Sequence, residues 1–221
     1  SNWRGQPTVN GKNAPKSIGR SLFSQGHRVI ANLSYEINWN NNLRTQIGLF
    51  YSGTEGQPYS YTYRDGADLL NDDSRDNALI YVPASQGEIT LENPSNWSAL
   101  NSFIENNDYL NSRRGDYVEK NATRGPWTDI VDLRFVQDLI VSKNKLQFTF
   151  DIFNFTNFLN QDWGRRYFVG SYGFAQPLRT VTAGPDPVFR WQEGSDDPRI
   201  TDFGFSGSRW RAQIGIRYTF K

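Results

Sequence analysis

Hydrophobic and polar residues alternate along five separate stretches of the chain. In "RVIANLSYEINW", residues 28–39, every second side chain from Val29 to Trp39 is apolar or aromatic, and most of those between are polar. Because successive side chains of a strand point to opposite faces of a sheet, this period of two predicts a strand with one apolar and one polar face. The same pattern predicts four more strands: Leu43 to Tyr63 (one long strand or two collinear ones), Thr128 to Asp138, Lys145 to Phe153 and Arg209 to Phe220.

Short and long connections alternate between these predicted strands. Asn40 to Asn42 and residues 139–144 are short, whereas 65–126 and 155–207 are long. Long irregular connections are unusual in compact soluble domains. In outer-membrane barrels, by contrast, short periplasmic turns alternate with long extracellular loops. We therefore expect both long connections to be extracellular, the C-terminus to be periplasmic, and residues 1–26 to belong to a preceding extracellular loop.

One short helix is predicted inside the first long connection, in "NPSNWSALNSFIENN". Its apolar residues recur at intervals of three and four: Trp97, Leu100, Phe103 and Ile104. Ser95 or Asn96 could cap the start of this helix.

The composition agrees with a membrane sheet. The chain is only 37% hydrophobic yet 15% aromatic, with a mean hydropathy of -0.68, and aromatic rings are enriched at membrane interfaces. No stretch approaches the roughly 18 consecutive apolar residues of a spanning helix. In a bilayer every backbone N–H and C=O must be paired, so strands span only as closed barrels. We predict an all-β fold, an antiparallel transmembrane β-barrel segment of about five spanning strands, over residues 27–221.

Bacterial single-chain barrels have an even number of strands, and the smallest have about eight. Five strands therefore do not close a barrel. We therefore expect the chain to be the C-terminal part of a larger barrel, with the apolar faces toward lipid and the polar faces toward a lumen. The aromatic residues predicted at the two membrane interfaces are Trp39, Tyr218 and Phe220 at one, and Trp127, Trp210, Tyr59, Tyr61 and Tyr63 at the other.

Few residues offer catalytic or metal-binding chemistry. His27 is the only histidine, which excludes His-based metal sites and His-dependent triads within this chain. There is no cysteine, and a net charge of +1 provides no field that would recruit nucleic acid. Two acidic clusters in the loops could gather a hard cation or could simply be solvated: Asp72, Asp73 and Asp76, and Asp196 with Asp197. We predict no catalytic residue, no resident metal and no cofactor.

Two further groups of polar or aromatic residues are candidates for binding. Asp151, Asn154 and Asn157 in "DIFNFTN" form a polar cluster, although such side chains at a strand end mostly cap their own turn. Three tryptophans in the predicted loops could stack on a sugar or an aromatic ligand, or could pack within the loops: Trp97, Trp163 and Trp191.

Four stretches of the sequence resemble a known family. "NATRGPWTDIVDLRFVQDLIVSKNKLQFTFDIFNFTNFLNQDWG" (121–164), "ALIYVP" (78–83), "FIENNDYLNSRRG" (103–115) and the terminal "RAQIGIRYTFK" resemble the late-barrel region of TonB-dependent outer-membrane receptors. The likeness is greatest to Oar-like members with a carboxypeptidase-regulatory-like N-terminal domain. The last strand resembles the family's assembly signal, except that Phe220 is penultimate and Lys221 follows it.

The resemblance implies a location in the bacterial outer membrane, within a barrel of about 22 strands. It also implies energised import of a bulky nutrient by a protein that is not an enzyme. The partners would be the rest of the barrel and its plug, outer-membrane lipid, and TonB through a missing N-terminal part. Two alternatives stay open. One is a structural or accessory barrel subunit whose loops dock a surface lipoprotein or another outer-membrane subunit, and the other is a soluble β-sandwich that binds glycans.

Overall fold

The structure is a computed structural model that describes residues 5–11, 18–64, 66–169, 173–192, 199–200 and 207–220, with backbone alone at 199–200. The chain is mostly β, with 46% strand and 14% helix, and its main sheets are antiparallel, so the β-rich fold class is confirmed. Within the described ranges, no helix is long and apolar enough to cross a membrane.

The regular elements are numbered along the chain. The strands are β1 (Arg28–Asn40), β2 (Leu43–Thr54), β3 (Pro58–Tyr61), β4 (Tyr81–Val82), β5 (Thr90–Leu91), β6 (Asp116–Tyr117), β7 (Thr123–Arg124), β8 (Thr128–Val141), β9 (Asn144–Phe153), β10 (Tyr167–Phe168), β11 (Phe174–Ala175), β12 (Leu178–Thr182), β13 (Val188–Trp191), β14 (Arg199–Ile200) and β15 (Arg211–Thr219). The helices are α1 (Trp97–Glu105), α2 (Asp108–Ser112) and α3 (Phe155–Leu159).

The chain divides into two compact units, each assembled from three separate segments. We call residues 25–56, 126–167 and 200–221 the sheet unit. Residues 1–24, 57–125 and 168–199 form the other, which we call the loop unit because most of it was predicted as loop. The long connections are therefore not irregular throughout, since they contribute strands, helices and a core of their own.

The sheet unit contains one five-stranded sheet with the order β1-β2-β8-β9-β15, in which every neighbouring pair is antiparallel. All five predicted strands are present and adjacent in chain order. Residues opposite each other across the sheet share a face. One such row brings together a residue from the predicted apolar face of each strand: Leu33, Leu49, Leu133, Ile152 and Ala212.

The predicted continuation of the second strand to Tyr63 is wrong. β2 ends at Thr54, which pairs with Thr128 at the start of β8. Pro126 lies two residues before β8 and Pro58 begins β3. Because proline has no N–H to donate to a ladder, it is unfavourable in a continuing strand pair. The alternation of aromatic and polar residues resumes in β3, which belongs to the loop unit and not to the sheet unit.

The loop unit encloses a core of buried apolar and aromatic residues. β3 lies between β11 and β7, while β13 lies between β12 and β5, and a two-residue pair joins β4 to β6. The predicted helix is confirmed as α1, and it buries Leu100 and Ile104 in this core. Asn96, one of the two predicted caps, holds the N-cap position of α1, but its side chain makes no capping hydrogen bond. A 3₁₀ turn precedes the helix, and there Asn93 accepts a hydrogen bond from the Ser95 N–H (3.1 Å).

Candidate functional site

One face of the five-stranded sheet is apolar and exposed. Its side chains are between 38% and 76% exposed on all five strands: Leu33, Tyr35, Ile47, Leu49, Phe135, Phe148, Phe150, Ile214 and Ile216. Soluble monomers rarely leave a large contiguous apolar patch in water, so a face of this kind marks contact with lipid or protein.

The opposite face is polar and carries an ion-pair network around a buried carboxylate. The side chain of Asp138 is 3% exposed. It lies 2.6 Å from Arg44 Nη2 and 2.8 Å from Lys145 Nζ, and it accepts a hydrogen bond from Gln147 Nε2 at 2.7 Å. These partners come from β2 and β9, so one carboxylate on β8 links three strands.

A small polar group interrupts the apolar face and is satisfied internally. Trp39 Nε1 donates to Thr45 Oγ1 (2.8 Å), and the Thr45 hydroxyl donates to Gln137 Oε1 (2.6 Å). Gln137 Nε2 in turn donates to the carbonyl of Arg44 at 2.9 Å. The chain of hydrogen bonds leaves the Gln137 amide paired within the protein.

The aromatic residues flanking the sheet lie at two opposite ends. Trp39 precedes the β1–β2 turn, and Tyr218 and Phe220 lie at the same end beside the start of β9, with ring centroids 6.1 Å apart. Trp127 immediately precedes β8, and Trp210 immediately precedes β15, at the other end. The sheet therefore has an aromatic group at each end of its strands.

The three tyrosines predicted at an interface lie elsewhere. Tyr59, Tyr61 and Tyr63 are 1–4% exposed and belong to the core of the loop unit. Tyr63 stacks on Phe189 with centroids 4.5 Å apart, and burial raises the pKa of its hydroxyl. A ring enclosed in a core does not face lipid. We therefore remove these three residues from the set of interface aromatics.

The three candidate ligand-stacking tryptophans have different environments. Trp97 and Trp191 are partly buried against the loop-unit core, and Trp191 lies 5.4 Å from the ring of Phe103. Trp163 is 54% exposed and, with Trp127, lines a cavity of about 370 Å³ in the sheet unit. Of the three, only Trp163 presents most of its ring to a ligand.

The "DIFNFTN" cluster is structural. Asn154 has a φ of 56°. Its N–H donates to Asp132 Oδ1 (2.8 Å), and its Nδ2 donates to the carbonyl of Gly164 (2.9 Å). Asn157 Nδ2 donates to the carbonyl of Trp163 (2.9 Å), and Asn157 Oδ1 accepts the N–H of Trp210 (3.2 Å). These amides fix the turn after β9, as predicted for side chains at a strand end.

The first acidic cluster is also used for local hydrogen bonding. Asp72 is buried and accepts from the Ser74 N–H (3.0 Å) and Asn77 Nδ2 (3.2 Å). Asp76 accepts from Gln176 Nε2 at 2.9 Å. Among the residues that the structure describes, no three His, Asp or Glu side chains form a metal-holding group. Asp196 and Asp197 lie outside the described residues.

His27, the only histidine of the sequence, lies immediately before β1. Its backbone N–H donates to Glu55 Oε2 at 2.8 Å, and its carbonyl accepts the N–H of Glu55 at 2.9 Å. These two bonds join the residue before β1 to the residue after β2, at the end of the pair opposite its turn.

A second cavity, of about 590 Å³, lies in the loop unit and was not predicted. Four aromatic rings and two carboxylates are among its lining residues: Tyr63, Tyr81, Tyr117, Phe189, Glu88 and Asp186. These residues come from segments far apart in the chain, so no local spacing links them.

Comparisons with protein-family models, with curated proteins and with solved structures found no match to this chain. The features that bear on function are therefore the faces of the sheet, the aromatic residues at its ends and the cavities described above.

Proposed function

We propose that the sheet unit is part of the wall of an outer-membrane β-barrel, in a TonB-dependent receptor that binds and imports a bulky nutrient. The observation that supports this most is the exposed apolar face shared by all five long strands. In a barrel this face contacts lipid, and burial against lipid tails replaces its contact with water.

The other features of the sheet are consistent with a bilayer. The shortest of the five strands, β15, has 9 residues, which at about 3.3 Å per residue is long enough for a tilted transmembrane strand. The aromatic residues at the two strand ends match the positions of interface girdles. The Asp138 network lies on the face that would line a polar lumen, where its cationic partners Arg44 and Lys145, 40% and 33% exposed, keep access to water.

The receptor part of the proposal depends on the resemblance of residues 78–83, 103–115, 121–164 and the last strand to late-barrel regions of that family. In such a receptor the loop unit would contact the substrate on the extracellular side. Energised import further requires a plug and a TonB-contacting segment upstream. A complete protein without them would limit the proposal to the barrel wall.

Site-directed spin labelling of β15 tests the membrane assignment. The chain has no cysteine, so a single cysteine can carry a nitroxide at Gln213, Ile214, Ile216 or Arg217; Gly215 is omitted because a Cβ there would lie 2.5 Å from Thr149 Oγ1. In lipid vesicles we expect labels at 214 and 216 to collide more often with dissolved oxygen than with a water-soluble nickel complex. Labels at 213 and 217 should show the opposite preference.

The alternation itself is the control, because neighbouring positions share the same strand and depth. Equal nickel accessibility at all four positions would contradict lipid contact. So would a chain that stays monomeric in buffer without detergent.

A further inference from the structure

The cavity in the loop unit is lined mainly by aromatic and aliphatic residues. Tyr63 and Phe189 are each 4% exposed, and their ring centroids are 4.5 Å apart. Tyr117 is 42% exposed and meets Tyr81 edge to face, with ring centroids 5.3 Å apart. Leu70 and Ile89 add aliphatic surface. A volume of about 590 Å³ lies within the range of small-molecule sites, which are mostly apolar with a few polar groups.

The charged residues that line this cavity are all acidic. Glu88 and Asp186 are its charged lining residues, and no Lys, Arg or His is among the described residues that line it. By contrast, Glu92 in the same unit is paired with Arg190, whose Nη2 lies 2.8 Å from Glu92 Oε1. Glu92 therefore has a cationic partner, whereas no ion pair of Glu88 or Asp186 is present within the described ranges.

Local hydrogen bonds hold Glu88 in its anionic form. Its Oε2 accepts from the Ala84 N–H (2.8 Å) and from the Tyr81 hydroxyl (2.9 Å), and these bonds lower the pKa of the carboxyl group. Oε1 has a single long contact, 3.5 Å from the Ser85 hydroxyl, and so retains capacity for a ligand. The Tyr117 hydroxyl makes no hydrogen bond within the described part of the chain and is a second free polar group.

We propose that this cavity binds a small organic cation, an ammonium group attached to an aromatic or branched aliphatic body. The electron-rich faces of aromatic rings attract cations, and the two carboxylates supply the opposite charge. The apolar body would occupy the space over Tyr63 and Phe189. An anionic ligand would be repelled, and a neutral one would leave both carboxylates without a counter-charge. This inference does not depend on the membrane proposal, because every residue involved lies in the loop unit.

Ligand-observed saturation-transfer NMR on the whole chain in a nonionic detergent tests the proposal. The probes are benzyltrimethylammonium and phenylacetate, which carry a similar ring and opposite charges. We expect saturable binding of the cation and none of the anion. Glu88→Gln, which keeps an acceptor for Tyr81 and Ala84, should weaken binding of the cation by about fivefold, and Tyr117→Leu by about threefold.

Two further variants keep the test decisive. Glu105→Gln removes an exposed carboxylate of the same unit that does not line the cavity, so the affinity should not change. Asp186→Asn alters an exposed lining residue that forms no hydrogen bond or ion pair within the described ranges. If Glu88→Gln lowers the melting temperature of the protein, Asp186→Asn is tested in its place. Equal binding of both probes, or an affinity unaffected by changes at 88, 117 and 186, would overturn the proposal.

Discussion

Asn154 and Gly164 together determine the turn that presents Trp163. Asn154 has a φ of 56° and Gly164 a φ of 64°, both in the left-handed region. Asparagine is one of the few residues other than glycine that adopts this conformation readily. A Cβ added at Gly164 would lie 2.0 Å from Asn154 Oδ1. The two residues therefore depend on each other, and position 164 has no room for a side chain.

We expect Gly164→Ala to lower the free energy of unfolding of the sheet unit by about 1–3 kcal/mol, because it adds backbone strain and displaces the Asn154 amide. The measurement is denaturant unfolding of the detergent-solubilised chain, followed by tryptophan fluorescence. Gly48→Ala is the matched control, since the new Cβ would meet only Arg134 Cβ at 3.7 Å, an ordinary contact. Equal unfolding midpoints for the two variants would contradict this description of the turn.

At the scale of single elements, β8 is the central strand of the sheet, and Asp138 is its main polar link. The carboxylate is nearly inaccessible and has two cationic partners, whereas Asp151 on β9 has one long ion pair, 3.6 Å from Arg134 Nε. Removing a buried charge from such a network leaves its partners unpaired.

Asp138→Asn should therefore destabilise the sheet by about 1–3 kcal/mol, and Asp151→Asn by clearly less. The readout is the temperature at which the β-sheet circular dichroism signal is lost, in the same detergent for both variants. If both substitutions had the same effect, the network around Asp138 would not contribute as its geometry suggests.

The elements differ in how far their sequence predicts them. The five long strands and α1 were predicted because their apolar residues repeat with the period of a strand or helix over nine residues or more. The pattern of Tyr59, Tyr61 and Tyr63 is equally regular, but β3 has only four residues and pairs with β7 and β11. Periodicity indicates which side chains share a face. It does not indicate which strand or core covers that face.

The same limit applies to the candidate sites. Trp163 was one of three candidate ligand contacts, chosen for its residue type and its place in a loop. Its ring is exposed, and a role in binding stays a prediction. The cavity beside Glu88 needs Tyr63, Tyr81, Tyr117 and Phe189 together. Phe189 is more than 70 positions from the others along the sequence, so only the tertiary fold brings these residues to one place.

At the scale of the whole molecule, the two units have separate bases for stability. The loop unit encloses a core of its own, and Leu110, on α2, is fully buried in it. The sheet unit relies on its hydrogen-bonded ladder and on the surroundings of its apolar face.

Leu110→Ala should therefore destabilise the loop unit by about 2–5 kcal/mol and leave the five long strands intact. Hydrogen exchange followed by mass spectrometry checks this, since peptides from 57–125 and 173–192 should lose protection while peptides from β2, β8 and β9 keep it. Ile18→Ala, at a fully exposed side chain of the same unit, should change neither set. Loss of protection in both units at once would contradict the separation.

The division of the loop unit into three segments has a consequence for protein synthesis. Ala175, Leu178 and Phe189 share a core with Tyr61 and Leu110 but lie in the last segment. A ribosome makes about 5–20 residues per second. The apolar residues of 57–125 therefore lack their core partners from the last segment for on the order of several seconds, while residues 126–189 are added. During that interval they are available to chaperones and proteases. A chain released before residue 168 would never complete this core.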